Sequence, residues 1–397
     1  MELSSRIQQL SESQTIAMSK MARELKAKGV DVISLSLGEP DFDTPELIKD
    51  AAKAAIDENF SHYTAVGGYQ GLIDAICTKF KRDNNLHYKP SQVLASTGAK
   101  QCLVNVLMSI INRGHEVILP TPYWVSYLEM IKLAEGTPVM VQGTFENGFK
   151  LKAEDLEKAI SPNTRAMFIN SPSNPTGAVY TREELEEIAA VLRKHPNIIV
   201  ISDEIYEHIN YGGEHVSFAS LDGMFDRTVT VNGVSKAFAM TGWRLGYLGA
   251  PEWLAQACIK MQGQVTSATC SITQKAAEAA LLADPKELTK DMLKAFEARR
   301  ELVVGELNKI DGLEILKTDG AFYCFPKVSS YFGKSYGGFK INNATDLCMY
   351  LIQEAHVACV TGDAFGAEEC LRISYAASES DLKIACKRLQ EAFAKLK

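Results

Sequence analysis

Apolar residues recur along this chain in two alternating rhythms. Short β-branched or aliphatic runs at 93–96, 116–119, 138–141, 165–169, 198–202, 228–231 and 245–249 read as strands. Between them, stretches with apolar positions three and four apart read as helices, ending near 111 and 133 and spanning 182–194. Upstream, 16–28 reads as a helix closed by Gly29 and 32–37 as a short strand. Thr44 as N-cap and Pro45 in the first turn predict a helix to about 59, and 70–82 predicts another. Beyond Pro251 the pattern is helical, with a long solvated helix expected near 291–309. The runs 322–325, 357–360 and 371–374 then read as strands, and 380–396 as a closing helix. Short buried runs alternating with helices predict an α/β fold: a mainly parallel central sheet with helices on both faces, plus a smaller α+β domain.

In such sheets ligands bind beyond the carboxyl ends of the strands. Strand after strand here runs straight into a polar, Gly- or Pro-marked segment. These segments carry Thr97-Gly98-Ala99-Lys100, Trp124, Asn174-Pro175-Thr176-Gly177, Asp203 with Tyr206, and Ser235-Lys236. That repetition predicts one shared site, whatever each motif means alone.

Composition narrows what enters it. The 397 residues carry 42 basic and 49 acidic side chains, a net −7 with no long basic block, which argues against nucleic acid or an anionic membrane as partner. Nine scattered cysteines without a CxxC pair fit free thiols in a reducing cytosol better than disulfides or a metal site, so no metal is expected. No apolar leader or membrane-length run is present, and a cytoplasmic protein is expected.

Lys236 follows the strand–turn at 228–233, flanked by Ser235 and small apolar residues, with Arg244 eight positions on. A lysine in apolar surroundings loses its proton cheaply and forms a Schiff base with an aldehyde; an arginine with hydroxyls suits a phosphate. Together they point to pyridoxal phosphate. The alternative, a solvated surface lysine, describes an arbitrary lysine better than one in this context. Asp203 and Tyr206 read either as a capping carboxylate with a packed tyrosine or as partners for a pyridine ring's nitrogen and 3-oxygen. Trp124 is a stacking face or a core residue. Asn174 belongs to a turn or donates its amide to a ligand. Gly38 is a turn glycine or exposes its N–H. Arg372 makes a surface ion pair or forks a carboxylate. The 97–100 stretch is a plausible anion cradle at a helix start and lacks a Walker A pattern.

Taken together, several strings resemble the class I, fold-type I aminotransferases, from about Gly29 to Tyr375, most closely the bacterial aspartate aminotransferases of the Iβ type. They are Gly-Glu-Pro-Asp-Phe-Asp-Thr-Pro (38–45), Tyr-Trp-Val-Ser-Tyr (123–127), Asn-Pro-Thr-Gly-Ala-Val-Tyr (174–180), Ser-Asp-Glu-Ile-Tyr-Glu-His (202–208) and Ala-Phe-Ala-Met-Thr-Gly-Trp-Arg (237–244). The resemblance implies that Lys236 carries the cofactor and shuttles the substrate proton. It implies Asp203 at the ring nitrogen, Tyr206 at the 3-oxygen and Trp124 stacked on the ring. Gly98, Ala99, Ser235 and Arg244 would hold the phosphate, helped by Tyr63 from a second subunit of a homodimer with shared sites. Arg372 would bind the α-carboxylate of amino-acid and 2-oxo-acid substrates, assisted by Gly38 and Asn174. The implied division is a large cofactor-binding domain over 45–295 and a small domain from 1–44 and 296–397.

One departure bears on specificity. Many aspartate aminotransferases read the side-chain carboxylate with a partner arginine on the stretch matching 262–274, which has no Arg here. The Iβ group instead uses a lysine and a threonine matching Lys100 and Thr15, a pair whose owners also accept prephenate. The expected reaction is therefore ping-pong exchange between aspartate and 2-oxoglutarate. Another donor or acceptor (prephenate, an aromatic amino acid or alanine) is the alternative, as is a β-lyase on the same fold. A transcription regulator would need a DNA-binding domain for which there is no room, and no Gly-x-Gly-x-x-Gly follows a strand.

Overall fold

Seven of the apolar runs form one sheet in the computed structural model, which describes residues 2–397. Its strands are β1 (Val93–Ser96), β2 (Glu116–Thr121), β3 (Thr137–Gln142), β4 (Thr164–Asn170), β5 (Ile199–Asp203), β6 (Thr228–Gly233) and β7 (Gly246–Gly249). They lie in the order β1-β7-β6-β5-β4-β2-β3, parallel throughout except for β7, which runs against both neighbours. The carboxyl ends of β1, β6, β5, β4 and β2 therefore emerge at the same edge.

Alternation explains why these runs are strands. Along β4 and β5, Ala166, Phe168, Ile199 and Ile201 enter one core layer, while Met167, Ile169 and Val200 enter the other. Burial on both faces is what turns the alternating pattern into a continuous apolar run. The main helices are α1 (Gln14–Ala27), α2 (Gln70–Asn84), α3 (Ala99–Ile110), α4 (Val125–Leu133), α5 (Arg182–Arg193), α6 (Pro285–Leu307) and α7 (Glu379–Lys395). Leu103 and Val106 of α3 cover the first layer and Leu185 and Ile188 of α5 the second. Helix α5 opens with a reciprocal cap: Thr181 Oγ1 accepts from Glu184 N–H, and the Glu184 carboxylate accepts from Thr181 N–H.

A second core gathers α6, α7 and a small antiparallel sheet of β8 (Tyr323–Cys324), β9 (Val360–Thr361) and β10 (Leu371–Ser374), in the order β9-β10-β8. Several expectations change here. The strand foreseen over 32–37 shrinks to Ile33–Ser34, which pairs only with Val357–Ala358. The run 357–360 divides at Cys359, its two halves serving different sheets. Thr44 does not cap a helix: its hydroxyl donates to Ala239 C=O and accepts from Trp243 Nε1, and the helix begins at Glu46. Helix Ala153–Ala159 and the hairpin Ser335–Tyr336/Phe339–Lys340 had no sequence forecast.

Candidate active site

The converging strand ends enclose a cavity of about 270 Å³. Every candidate residue singled out above lines it except Gly98 and Tyr63. Lys236, after β6, is half-buried and donates from Nζ to Gly38 C=O at 2.6 Å. Burial lowers its pKa to about 8, with Arg372 and Arg244 adding to the fall and Glu39 and Asp203 opposing it. The amine stays mostly protonated at pH 7, but its neutral fraction is far larger than that of an exposed lysine.

Asp203 ends β5 and is buried. Its oxygens accept from Tyr127 O–H at 2.7 Å and Ile205 N–H at 3.2 Å. Burial nevertheless raises its pKa to about 6, because neither donor carries a charge. Asn170, at the end of β4, ties the neighbouring loops together. It donates to Asp203 C=O at 2.8 Å and accepts from Asn174 N–H at 2.8 Å, ahead of the cis Asn174–Pro175 bond.

Arg372 on β10 departs from the surface ion pair of its first sequence reading. It is 1% exposed and has no carboxylate partner among the described residues, so the surface ion pair is excluded. Leu371 and Ile373 point into the second core, as alternation requires, and the guanidinium faces the cavity. It donates to Asn174 Oδ1 at 2.9 Å and Ser36 C=O at 2.6 Å, while Nε is buried without a partner among the described residues. Tyr323 and Phe365 lie 4.7 and 4.9 Å from its Cζ, holding it in a fixed orientation. A buried cation without a counter-ion is costly unless an anion completes it.

At the other end of the cavity Gly98, with φ 83°, precedes the first turn of α3. A Cβ on Gly98 would come 2.5 Å from Arg244 Nη2, so the glycine lets the guanidinium approach the helix start. The free N–H groups of that turn, the Ser235 hydroxyl and Arg244 make a cationic cradle. Lys100, on α3, lies 4.8 Å from the Trp124 ring centroid, and burial together with Arg244 lowers its pKa. Thr15 comes from α1 to the cavity wall, where its hydroxyl is buried with no partner among the described residues. Tyr63 sits apart on a loop, 97% exposed.

Two cavity tyrosines escaped the sequence reading. Tyr127 stands three positions after Trp124 on α4, a helical spacing that could have flagged it. Tyr323, whose hydroxyl meets that of Tyr206 at 2.7 Å, lies in an aromatic-rich run with no comparable signal.

The model of the family described as aminotransferase class I and II matches residues 30–389. The chain is 49% identical over 391 residues to an aspartate/prephenate aminotransferase of Cereibacter sphaeroides, covering 98% of each. It is 48% identical over 399 residues to a bifunctional aspartate aminotransferase and glutamate/aspartate-prephenate aminotransferase of Petunia hybrida, covering 100% of this chain and 83% of that one. The crystal structure of the aspartate aminotransferase from Rhizobium meliloti is similar with a TM-score of 0.97 and 44% identity, over 100% of both chains.

Proposed function

The chain belongs to the class I and II aminotransferases, and from that premise we propose how its cavity carries out transamination of L-aspartate with 2-oxoglutarate, giving oxaloacetate and L-glutamate. The observation that carries the reading is a pair of buried, unpaired opposite charges, Asp203 and Arg372, in one cavity with Lys236, whose pKa burial depresses. Each charge is costly to bury alone and gains by a ligand of opposite sign.

Enzymes of this family use pyridoxal phosphate, and the residues present fit it. The Gly98 cradle that a Cβ would fill suits a phosphate, and the buried Asp203 suits a protonated ring nitrogen. When bound, the cofactor supplies an aldehyde carbon for the amino group and a ring that accepts electron density from the substrate Cα. Ser235, Arg244 and the N–H groups after Gly98 hold the phosphate, joined by Tyr63 from a second copy of the chain in a homodimer. Asp203, oriented by Tyr127, keeps the ring nitrogen protonated, while Tyr206 donates to the ring oxygen and Trp124 covers the ring face. Lys236 would take the proton from the substrate Cα and deliver it two atoms along, to the former aldehyde carbon, its lowered pKa leaving part of the amine neutral near pH 7. Arg372, with Asn174 and the Gly38 N–H, grips the α-carboxylate. Lys100 and the unpartnered Thr15 hydroxyl receive the side-chain carboxylate, and prephenate is proposed as a second acceptor through that same pair. The site lies where residues 45–295 meet 1–44 and 296–397, which we take as the two structural units.

An absorbance spectrum tests this directly. The cofactor band of the purified protein should bleach with L-aspartate and return with 2-oxoglutarate or prephenate. A band that aspartate leaves unchanged would refute the specificity; no band after reconstitution would refute the reading itself.

A further inference from the structure

Tyr323 has no role in the reading above, yet its hydroxyl occupies a confined position. It meets the Tyr206 hydroxyl at 2.7 Å, and this is the sole hydrogen bond of either phenol among the described residues. A Cβ on Gly38 would collide with the same oxygen, so the glycine clears its position. Gly38 C=O in turn receives the Lys236 ammonium. The Tyr323 ring lies against the Arg372 guanidinium, 4.7 Å from centroid to Cζ. One side chain on β8 thus touches Tyr206, Gly38 and Arg372.

Two hydroxyls in one hydrogen bond share two protons, and one is left free. If Tyr206 donates to Tyr323, it has none left for a ligand. If Tyr323 donates, the Tyr206 proton points where a ligand can take it, and the bond it accepts makes it a stronger donor. Arg372 favours the second arrangement. It lies directly against Tyr323, and a cation beside a phenol makes that phenol the better donor of the pair. Burial raises both phenols and Arg372 opposes the rise at both, but at Tyr206 the Tyr323 phenol and Asp203 add to it and hold Tyr206 well above the usual range, leaving Tyr323 the better donor. The other charged side chains lining the cavity with the pair are Asp203, Lys236, Lys100 and Arg244.

We propose that Tyr323 is a positioning residue: its hydroxyl donates to Tyr206 and so directs the Tyr206 proton at the cofactor's ring oxygen. This rests on the cofactor reading given above. It also links the carboxylate-binding arginine to the phenol that tunes the cofactor, through one aromatic side chain.

The test is a pH titration of the visible absorbance of the holoenzyme, in the parent and in Tyr323→Phe, Tyr206→Phe and the double variant. Phenylalanine at 323 keeps the ring on Arg372 and removes only the hydroxyl. A donor to the ring oxygen favours the deprotonated form, so its weakening raises the midpoint. Tyr323→Phe should move it up by about 0.5 pH unit, in line with one weakened hydrogen bond. The KM for aspartate should stay within about twofold, because the aromatic contact to Arg372 survives. In the Tyr206→Phe background the second substitution should add nothing. An unmoved midpoint, or an equal shift in both backgrounds, overturns the proposal. A raised KM at an unmoved midpoint also overturns it, assigning Tyr323 to the carboxylate clamp alone. A parent without a titrating band refutes the cofactor reading first, so the two failures are distinguishable.

Discussion

The turn after β5 faces two ways, and its two sides handle buried charge in opposite fashion. Asp203 and Tyr206 look into the cavity, whereas Glu204 and Glu207, each one residue on, are buried in a polar cluster behind it. There every carboxylate has a partner. Glu207 contacts the Lys79 ammonium of α2, accepts from Asn84 Nδ2 at 2.8 Å and lies 3.0 Å from His208 Nε2. Glu204 accepts from Ser202 and Ser217 hydroxyls at 2.8 and 2.9 Å and meets His215 Nε2 at 3.0 Å. Burial alone would raise Glu207, but Lys79 and His208 outweigh it and hold the carboxyl well below its usual range. Asp203, buried to the same degree, rises to about 6. Burial is common to both sides, so the partner decides the sign. Charges are completed inside the chain where they support the fold and left incomplete where a ligand enters.

Breaking each side should give opposite phenotypes. The largest effect is expected from Lys236→Ala, which removes the amine proposed to move the substrate proton. Transamination should fall by about 10⁴-fold or more, and the covalent cofactor band should vanish, while the fold persists. Turnover and spectrum on one sample check both halves. On the other side, Lys79→Met leaves Glu207 buried without its cation. That should cost about 3–5 kcal/mol of stability, read from urea denaturation, and leave the turnover of the folded fraction nearly intact.

The contrast sharpens in the cofactor-free protein. Burial holds Lys236 at about 8 in the folded chain, against 10.5 for a free lysine amine. Its pKa is depressed, so the stability it contributes is present above 10.5 and is lost as pH falls through 8. Lys236→Met does not titrate. Without cofactor it should be more stable than the parent by about 3 kcal/mol at pH 7, and the gap should close between pH 8 and 10.5. A gap of the opposite sign would show that the lysine is structurally paired after all.

The sequence discloses these two sides unequally. Thr228–Val231 and 198–202 are legible as strands because burial on both faces demands a continuous apolar run. The polar residues just past them are legible as a site because the sheet's geometry puts such residues at one edge. Asp203 stands out through its string, and Lys236 through its place after a strand–turn beside Ser235 and Arg244. Lys79 is in no string, and Glu207 sits in one without a forecast role: their pairing depends on α2 packing beneath the β5 turn, and each alone resembles an ordinary helical or loop charge. Tyr323 is hidden for the same reason, since its hydroxyl acquires meaning only opposite Tyr206. The 32–37 run overstated its strand because pairing stops where Val357–Ala358 stops.

The smallest effect concerns Thr15, where the comparison can be tested within a single hydroxyl. Its oxygen is buried and unpartnered, as Arg372 Nε is, but it carries no charge. If it is kept for a ligand, replacing it with an isosteric methyl should relieve a cost in the free protein and impose one in the complex. Thr15→Val should leave stability unchanged or slightly improved. It should lower kcat/KM for aspartate by about fivefold, the worth of roughly 1 kcal/mol for one hydrogen bond. Alanine, which has no second carboxylate to receive, should react at the parental rate. Equal losses for aspartate and alanine would mean that the hydroxyl only shapes the α1 wall, leaving Lys100 as the sole reader of the side chain.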